Sequence, residues 1–163
     1  GQQQLAVILL QSGRPQEALE HFQVAMNLAP AAREPREGAA RAQLLLGQHG
    51  EAIAIYRDLL EIRPDDLEVA NNLAWELATS PQAELRNGPE AVTLAERIVD
   101  QPGGRTATFL DTLAAAYAAA GRFDEAVQTA LEARQMAKAA HNGALVQEIE
   151  RRLPGYRAGK AFP

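Results

Sequence analysis

The chain has 163 residues, no cysteine, 47% hydrophobic but only 5% aromatic residues, and a formal net charge of −5. The absence of thiols excludes disulfides and zinc–thiolate sites. The acidic balance argues against nucleic acid as a partner and against an electrostatic grip on anionic membranes. Much of the hydrophobic share is alanine, the best helix former, and sheet-forming aromatics are scarce. An all-α protein with closely packed helices is therefore expected.

Apolar periodicity and turn residues predict nine helices in chain order: 2–12, 15–29, 35–46, 49–62, 66–79, 88–100, 106–119, 123–140 and 143–153, with no strand. The longest apolar run, Leu5 to Leu10, is broken by Gln11 and Ser12, far short of the roughly 20 residues that span a bilayer. Residue 1 falls just inside the first helix, whose Val7, Ile8 and Leu10 form an apolar stripe. That stripe is expected to be covered by earlier repeats of a parent protein or by a neighbouring chain.

The helices recur as pairs. Gly13 and Gly47 are 34 residues apart, as are Glu17 and Glu51, Ala18 and Ala52, Phe22 and Tyr56, Leu28 and Ile62, and Pro30 and Pro64. At average residue frequencies the Gly and Pro coincidences alone have odds of roughly 1 in 300. A third copy carries Leu73, Ala74 and Leu77, then Glu90, Ala91 and Ala95, with the turn-rich stretch SPQAELRNGP between its helices. A fourth, LDTLAAAYAAAGRFDEAV, restores the spacing through Tyr117, Gly121 and Ala126.

Each column has a physical reason. Gly13, Gly47 and Gly121 stand where a first helix must stop with positive φ. Ala18, Ala52, Ala91 and Ala126 stand where two antiparallel helices cross most closely. Pro30 and Pro64 close second helices by withholding an amide donor. Copy two departs at Arg36, Ala39 and Gln43, where large apolar residues are expected, so loose packing of that helix is predicted.

These columns resemble those of tetratricopeptide repeat proteins, which are built from 34-residue helix–turn–helix units. The resemblance implies an α-solenoid, a right-handed superhelix of four units: 1–32, 33–66, 67–105 with its inserted turn, and 106–140. Residues 141–163 supply a capping helix and tail, with Leu145, Val146, Ile149 and Leu153 as the apolar stripe, Pro154 and Gly155 as its end, and YRAGKAFP as an extended or mobile tail. More narrowly, NNLAWELATSPQAELRNGPEAVTLAERI and the segment after it resemble the C-terminal repeats of bacterial members. Some of those are appended to membrane glycosyltransferase-like or export proteins. That implies a bacterial source, in the cytoplasm or the periplasm.

The same resemblance implies a concave groove lined by the first helix of each pair. Copy one offers Gln3, Gln4, Val7 and Gln11, and copy two Glu34, Glu37, Arg41, Leu44 and Leu45. Copy three offers Asn71, Asn72, Trp75 and Thr79, and copy four Thr108, Asp111, Thr112 and Ala115. The peptide- or protein-binding residues are expected to be Asn71, Asn72 and Trp75, flanked by Arg41, Asp111 and Thr112. An asparagine amide clamps a peptide backbone with one donor and one acceptor group, and tryptophan is the residue most enriched at binding hot spots. The competing reading makes Trp75 core and the asparagines ordinary surface.

The sequence carries no catalytic or metal-ligating constellation. His21, His49 and His141 lack metal-ligand spacing, no phosphate-binding glycine motif occurs, and Ser12 and Ser80 lie at helix ends. The carboxylate pairs Asp65–Asp66 and Asp124–Glu125 fall at helix starts, where they oppose the dipole. No cofactor, metal or enzymatic activity is expected. The leading reading is a protein-interaction scaffold. The alternatives are a structural, self-associating segment that oligomerises through terminal repeats, and an accessory domain of a larger enzyme.

Overall fold

The computed structural model describes residues 1–162, and among these there are nine α-helices and no strand. They are α1 (Gln2–Gln11), α2 (Pro15–Leu28), α3 (Arg33–Leu45), α4 (His49–Ile62), α5 (Leu67–Thr79), α6 (Gly88–Val99), α7 (Ala107–Ala119), α8 (Phe123–Ala139) and α9 (Gly143–Arg157). The ends of α1 to α8 lie within two residues of their expected positions. The chain forms two compact units, Gly1–Asp65 with α1 to α4 and Asp66–Pro163 with α5 to α9.

In the first unit each helix packs on its neighbours in sequence. Ala6, Leu9, Ala18, Leu19, Phe22, Ala39 and Ala42 form the buried cluster. The loose packing expected of α3 is not found. A Cβ on Gly38 would lie 2.3 Å from the Phe22 ring, so that ring rests directly on the α3 backbone. Small residues let α3 approach closely, and the large apolar side chains missing from it are not needed. Arg36 instead turns outward and donates to the Pro30 carbonyl at 2.7 and 3.0 Å.

The repeated glycines turn as their spacing requires. Gly13, Gly47 and Gly121 have φ of 73, 75 and 76°. At each the next amide reaches back to close the helix: Arg14 N–H to the Leu9 carbonyl (2.9 Å), Gln48 to Gln43 (2.8 Å), and Arg122 to Tyr117 (2.8 Å). The end of α8 repeats this closure, with Asn142 N–H donating to the Ala137 carbonyl at 2.8 Å. There the left-handed position is held by His141, at φ 56°.

In the second unit α5 packs on α6 and α7, α7 on α8, and α8 on α9. Four of its five helix starts, all but that of α8, are capped by side chains. Asp66 accepts from Val69 N–H, Asn87 from Glu90, Thr106 from Phe109 and Asn142 from Leu145, at 3.1–3.2 Å. The inserted stretch between α5 and α6 is a loop with one 3-10 turn, Ala83–Leu85. Asn87 N–H ties it back to the Leu77 carbonyl at 2.7 Å.

The expected end of the last helix at Pro154 and Gly155 is corrected: α9 runs through both to Arg157. A proline inside a helix costs about 3 kcal/mol. Burial of Leu153 and Tyr156, each only 2% exposed, offsets that cost, since an apolar side chain contributes about 1.5–3 kcal/mol. The helix closes four residues later, at Gly159 with φ 71°, where Lys160 N–H donates to the Gly155 carbonyl.

Candidate functional site

Three of the expected site residues lie on consecutive turns of α5. Asn71 and Trp75 are four residues apart and Asn72 and Trp75 three, so all belong to one side of the helix. Asn72 is exposed, Trp75 half-buried and Asn71 buried. The Asn71 Oδ1 is buried without a hydrogen-bond partner. A buried acceptor left unmade costs about 1–3 kcal/mol, so this carbonyl is a standing demand for a donor. Thr79, one turn further, donates to the Trp75 carbonyl at 2.8 Å and is satisfied within the helix.

Asp111 and Thr112 are not solvent-facing groove residues, as the sequence suggested. Both lie in α7, whose residues 110–118 are buried throughout. Thr112 donates to the Thr108 carbonyl. The Asp111 carboxylate accepts a 2.8 Å hydrogen bond from Nη1 of Arg152 on α9, in a buried ion pair. Burial pushes the Asp111 carboxyl above its ordinary range, and the Arg152 guanidinium opposes that shift. The physical reason for the difference is α9, which packs on α7 and supplies the cation.

Arg152 is not among the site residues expected from the sequence. Besides Asp111 it donates from Nε to the Glu148 carbonyl at 3.2 Å. Its guanidinium carbon lies 5.1 Å from the centre of the Trp75 ring and 5.4 Å from that of Phe162. The two rings are 6.0 Å apart, tilted by 39°. Both cation–ring distances fall within the range where the ring quadrupole attracts a cation. Signals for this cluster exist in the sequence. Asp111 is the only acid among the alanines and leucines of α7, and Arg152 interrupts the stripe Ile149, Leu153, Tyr156.

Arg41 belongs to the first unit, where it is exposed on α3. It lines a pocket of about 210 Å³ with Gln3, Val7, Gln11, Glu34 and Glu37, all residues assigned from the sequence to the first-helix surface. Phe22 and Gly38 form its floor.

Among the described residues no three His, Cys, Asp or Glu side chains are grouped to hold a metal ion, and no helix is long and apolar enough to cross a membrane.

The helix pairs, their glycine turns and their alanine crossings define the class of all-α helical-repeat solenoids. Within that class the chain belongs to the tetratricopeptide repeat family, since two models described as tetratricopeptide repeat match residues 9–75 and 106–144. Among curated proteins it is similar to the BBSome complex member BBS4 of Xenopus tropicalis, 30% identical over 131 residues and 80% of this chain. It also matches the Bos taurus protein of that name, 34% identical over 68 residues and 42% of this chain. The chain spans only 24% and 13% of those relatives. Among solved structures it is similar to residues 41 to the end of MamA from Desulfovibrio magneticus RS-1, with a TM-score of 0.70 at 15% identity, covering 96% of this chain and 93% of that one. The TPR-like repeats of a putative kinesin light chain from Podosopora anserina give a TM-score of 0.62 at 24% identity, covering 97% and 92%. These structural likenesses show the fold.

Proposed function

We infer from the family and fold that the chain is a protein–protein interaction scaffold in general terms. We propose that its second unit binds an extended protein segment along α5, with Asn71 and Asn72 bonding the segment's backbone and Trp75 packing on a side chain. The exposed Asn72 amide beside the half-buried Trp75 ring carries this reading, because the amide offers a peptide backbone both a donor and an acceptor and the indole offers a side chain an apolar face. Asp111 and Thr112 act beneath that surface as support. In the first unit the pocket beside Arg41 is the corresponding surface, and its mixture of amides, two glutamates and one arginine suits a segment of mixed charge. The curated relatives are named as members of a protein complex, which agrees with an assembly role. The test is crosslinking of the full chain to captured partners, followed by mapping. Crosslinks concentrated on α5 support the proposal; crosslinks confined to α6 and α8 overturn it.

A second reading is favoured by one observation. Leu5, Val7 and Ile8 on α1 are 43, 39 and 57% exposed, an exposed apolar stripe on one helix. Self-association of the chain through that stripe predicts a dimer in light scattering that Ile8→Asp returns to monomer. A monomeric chain at all concentrations removes this reading.

A further inference from the structure

We propose that the Trp75–Arg152 surface is a receptor for an aromatic side chain, and that Phe162 occupies it in the free protein. A partner segment must then bring an aromatic residue of its own and displace the tail. This inference rests on the proposal that the α5 surface binds a protein segment, and it names the chemistry of that segment.

The argument starts from the guanidinium. Arg152 Nη1 is committed to Asp111 and Nε to the Glu148 carbonyl. Its charge is neutralised by a buried carboxylate at 2.8 Å. An incoming acid would have to compete with Asp111 for the same edge. The flat face of the group is also on offer, and a planar cation face next to an indole suits another π-system. Phe162 already demonstrates the fit, at 5.4 Å from the guanidinium carbon and 6.0 Å from the indole centre.

The tail is suited to exchange. Lys160 and Ala161 are exposed, and beyond Gly159 the chain leaves α9. Phe162 itself is only partly buried, so its release uncovers little. By contrast Arg152 and Asp111 are fixed by their buried ion pair and stay in place when the tail leaves. On α5 the exposed Asn72, three residues before Trp75, offers an external segment a backbone partner beside the Phe162 position.

Trp75 is the single tryptophan, so fluorescence excited at the red edge, where the tyrosines do not absorb, reports this surface alone. The test compares the full chain with Phe162→Ala. Acrylamide quenching of Trp75 should be stronger in the variant, with unchanged helicity. The probe is an amidated peptide of residues 158–162, AGKAF, added in trans. It should shift Trp75 emission saturably in the variant, and AGKAA should not. A tail that covers the slot about nine-tenths of the time weakens the probe's apparent affinity about ten-fold in the wild type relative to the variant. Equal quenching of both proteins, or equal response to AGKAF and AGKAA, overturns the inference. If crosslinks to partners still concentrate on α5 under that outcome, the segment-binding proposal stands and only its aromatic, tail-gated form fails.

Discussion

Nη1 of Arg152 and Oδ1 of Asp111 meet at 2.8 Å across 41 residues of sequence, with both side chains under 10% exposed. This pair joins α9 to α7. A buried ion pair is weak support for a fold as such, because desolvation cancels much of the attraction. Its removal from one side is another matter. Arg152→Ala leaves an uncompensated buried carboxylate and should cost about 3–5 kcal/mol.

The pH dependence follows from the same geometry. Burial raises the Asp111 carboxyl and Arg152 holds that rise down. A raised carboxyl favours the protonated folded state. Its contribution to stability is full below the ordinary carboxylate range and is lost as pH rises through the raised value. Without Arg152 the carboxyl climbs further. The penalty of Arg152→Ala should therefore be smallest in acid and grow as pH rises, measured by urea denaturation at several pH values. A penalty independent of pH would show that Asp111 is not the group left unpaired.

The alanine columns predict overpacking. Ala52 and Ala126 have no exposed surface. Ala52→Leu or Ala126→Leu should destabilise by about 1–3 kcal/mol in thermal melts. Glu61→Gln, at an exposed position of α4, should change little. Unchanged alanine variants would mean that the helix crossings lie elsewhere.

His141 holds a left-handed turn that glycine holds at the corresponding ends of α1, α3, α7 and α9. A side chain in that conformation costs about 1–2 kcal/mol. Glycine loses up to about 1 kcal/mol more backbone freedom on folding. The difference favours His141→Gly by up to about 1 kcal/mol, seen as a higher melting temperature. A lower one would show that the imidazole makes a compensating contact.

Tyr117 donates to Glu96 Oε1 at 2.8 Å, and burial, reinforced by that carboxylate, pushes its phenol up to about 12. Folded protein therefore keeps the proton that unfolded chain releases near its ordinary value of 10.0. This stabilisation is full below pH 10 and is lost as pH rises through about 12. Burial also pushes the Tyr156 phenol up, so near-ultraviolet titration should show two late-titrating phenols in the folded protein, one of which is missing from Tyr117→Phe. Titration of Tyr117 at the ordinary value would remove the Glu96 contact from the structure.

The repeat was legible because its columns are backbone requirements. A left-handed turn asks for glycine, a close crossing asks for alanine, and both recur at fixed spacing. Gly38 was not legible, since the Phe22 ring it receives comes from the previous helix pair and no repeat column marks it. The end of α9 was misjudged for a related reason. Pro154 and Gly155 are local stop signals, and the burial of Tyr156 that overrides them is tertiary. Asn71, Asn72 and Trp75 could be placed on one side of α5 from spacing alone. The engagement of Asp111 by Arg152 could not, because it depends on where a non-repeating helix docks.

Trp75 decides between a binding surface and a core. The indole is half-buried, and its ring contacts Arg152 and Phe162. An aromatic pair and a cation–ring contact of this kind contribute about 0.5–2 kcal/mol each. Trp75→Ala should therefore lower the melting temperature only modestly and leave the helical signal intact. Arg152 keeps Asp111 in that variant, so α9 stays docked. If the indole is the anchor for a partner segment, affinity for that segment should fall by about 2 kcal/mol or more. Helicity, melting and affinity measured on this one variant separate the outcomes. A large fall in melting temperature with affinity lost in proportion makes Trp75 part of the core. Intact folding with unchanged affinity places the binding surface away from α5.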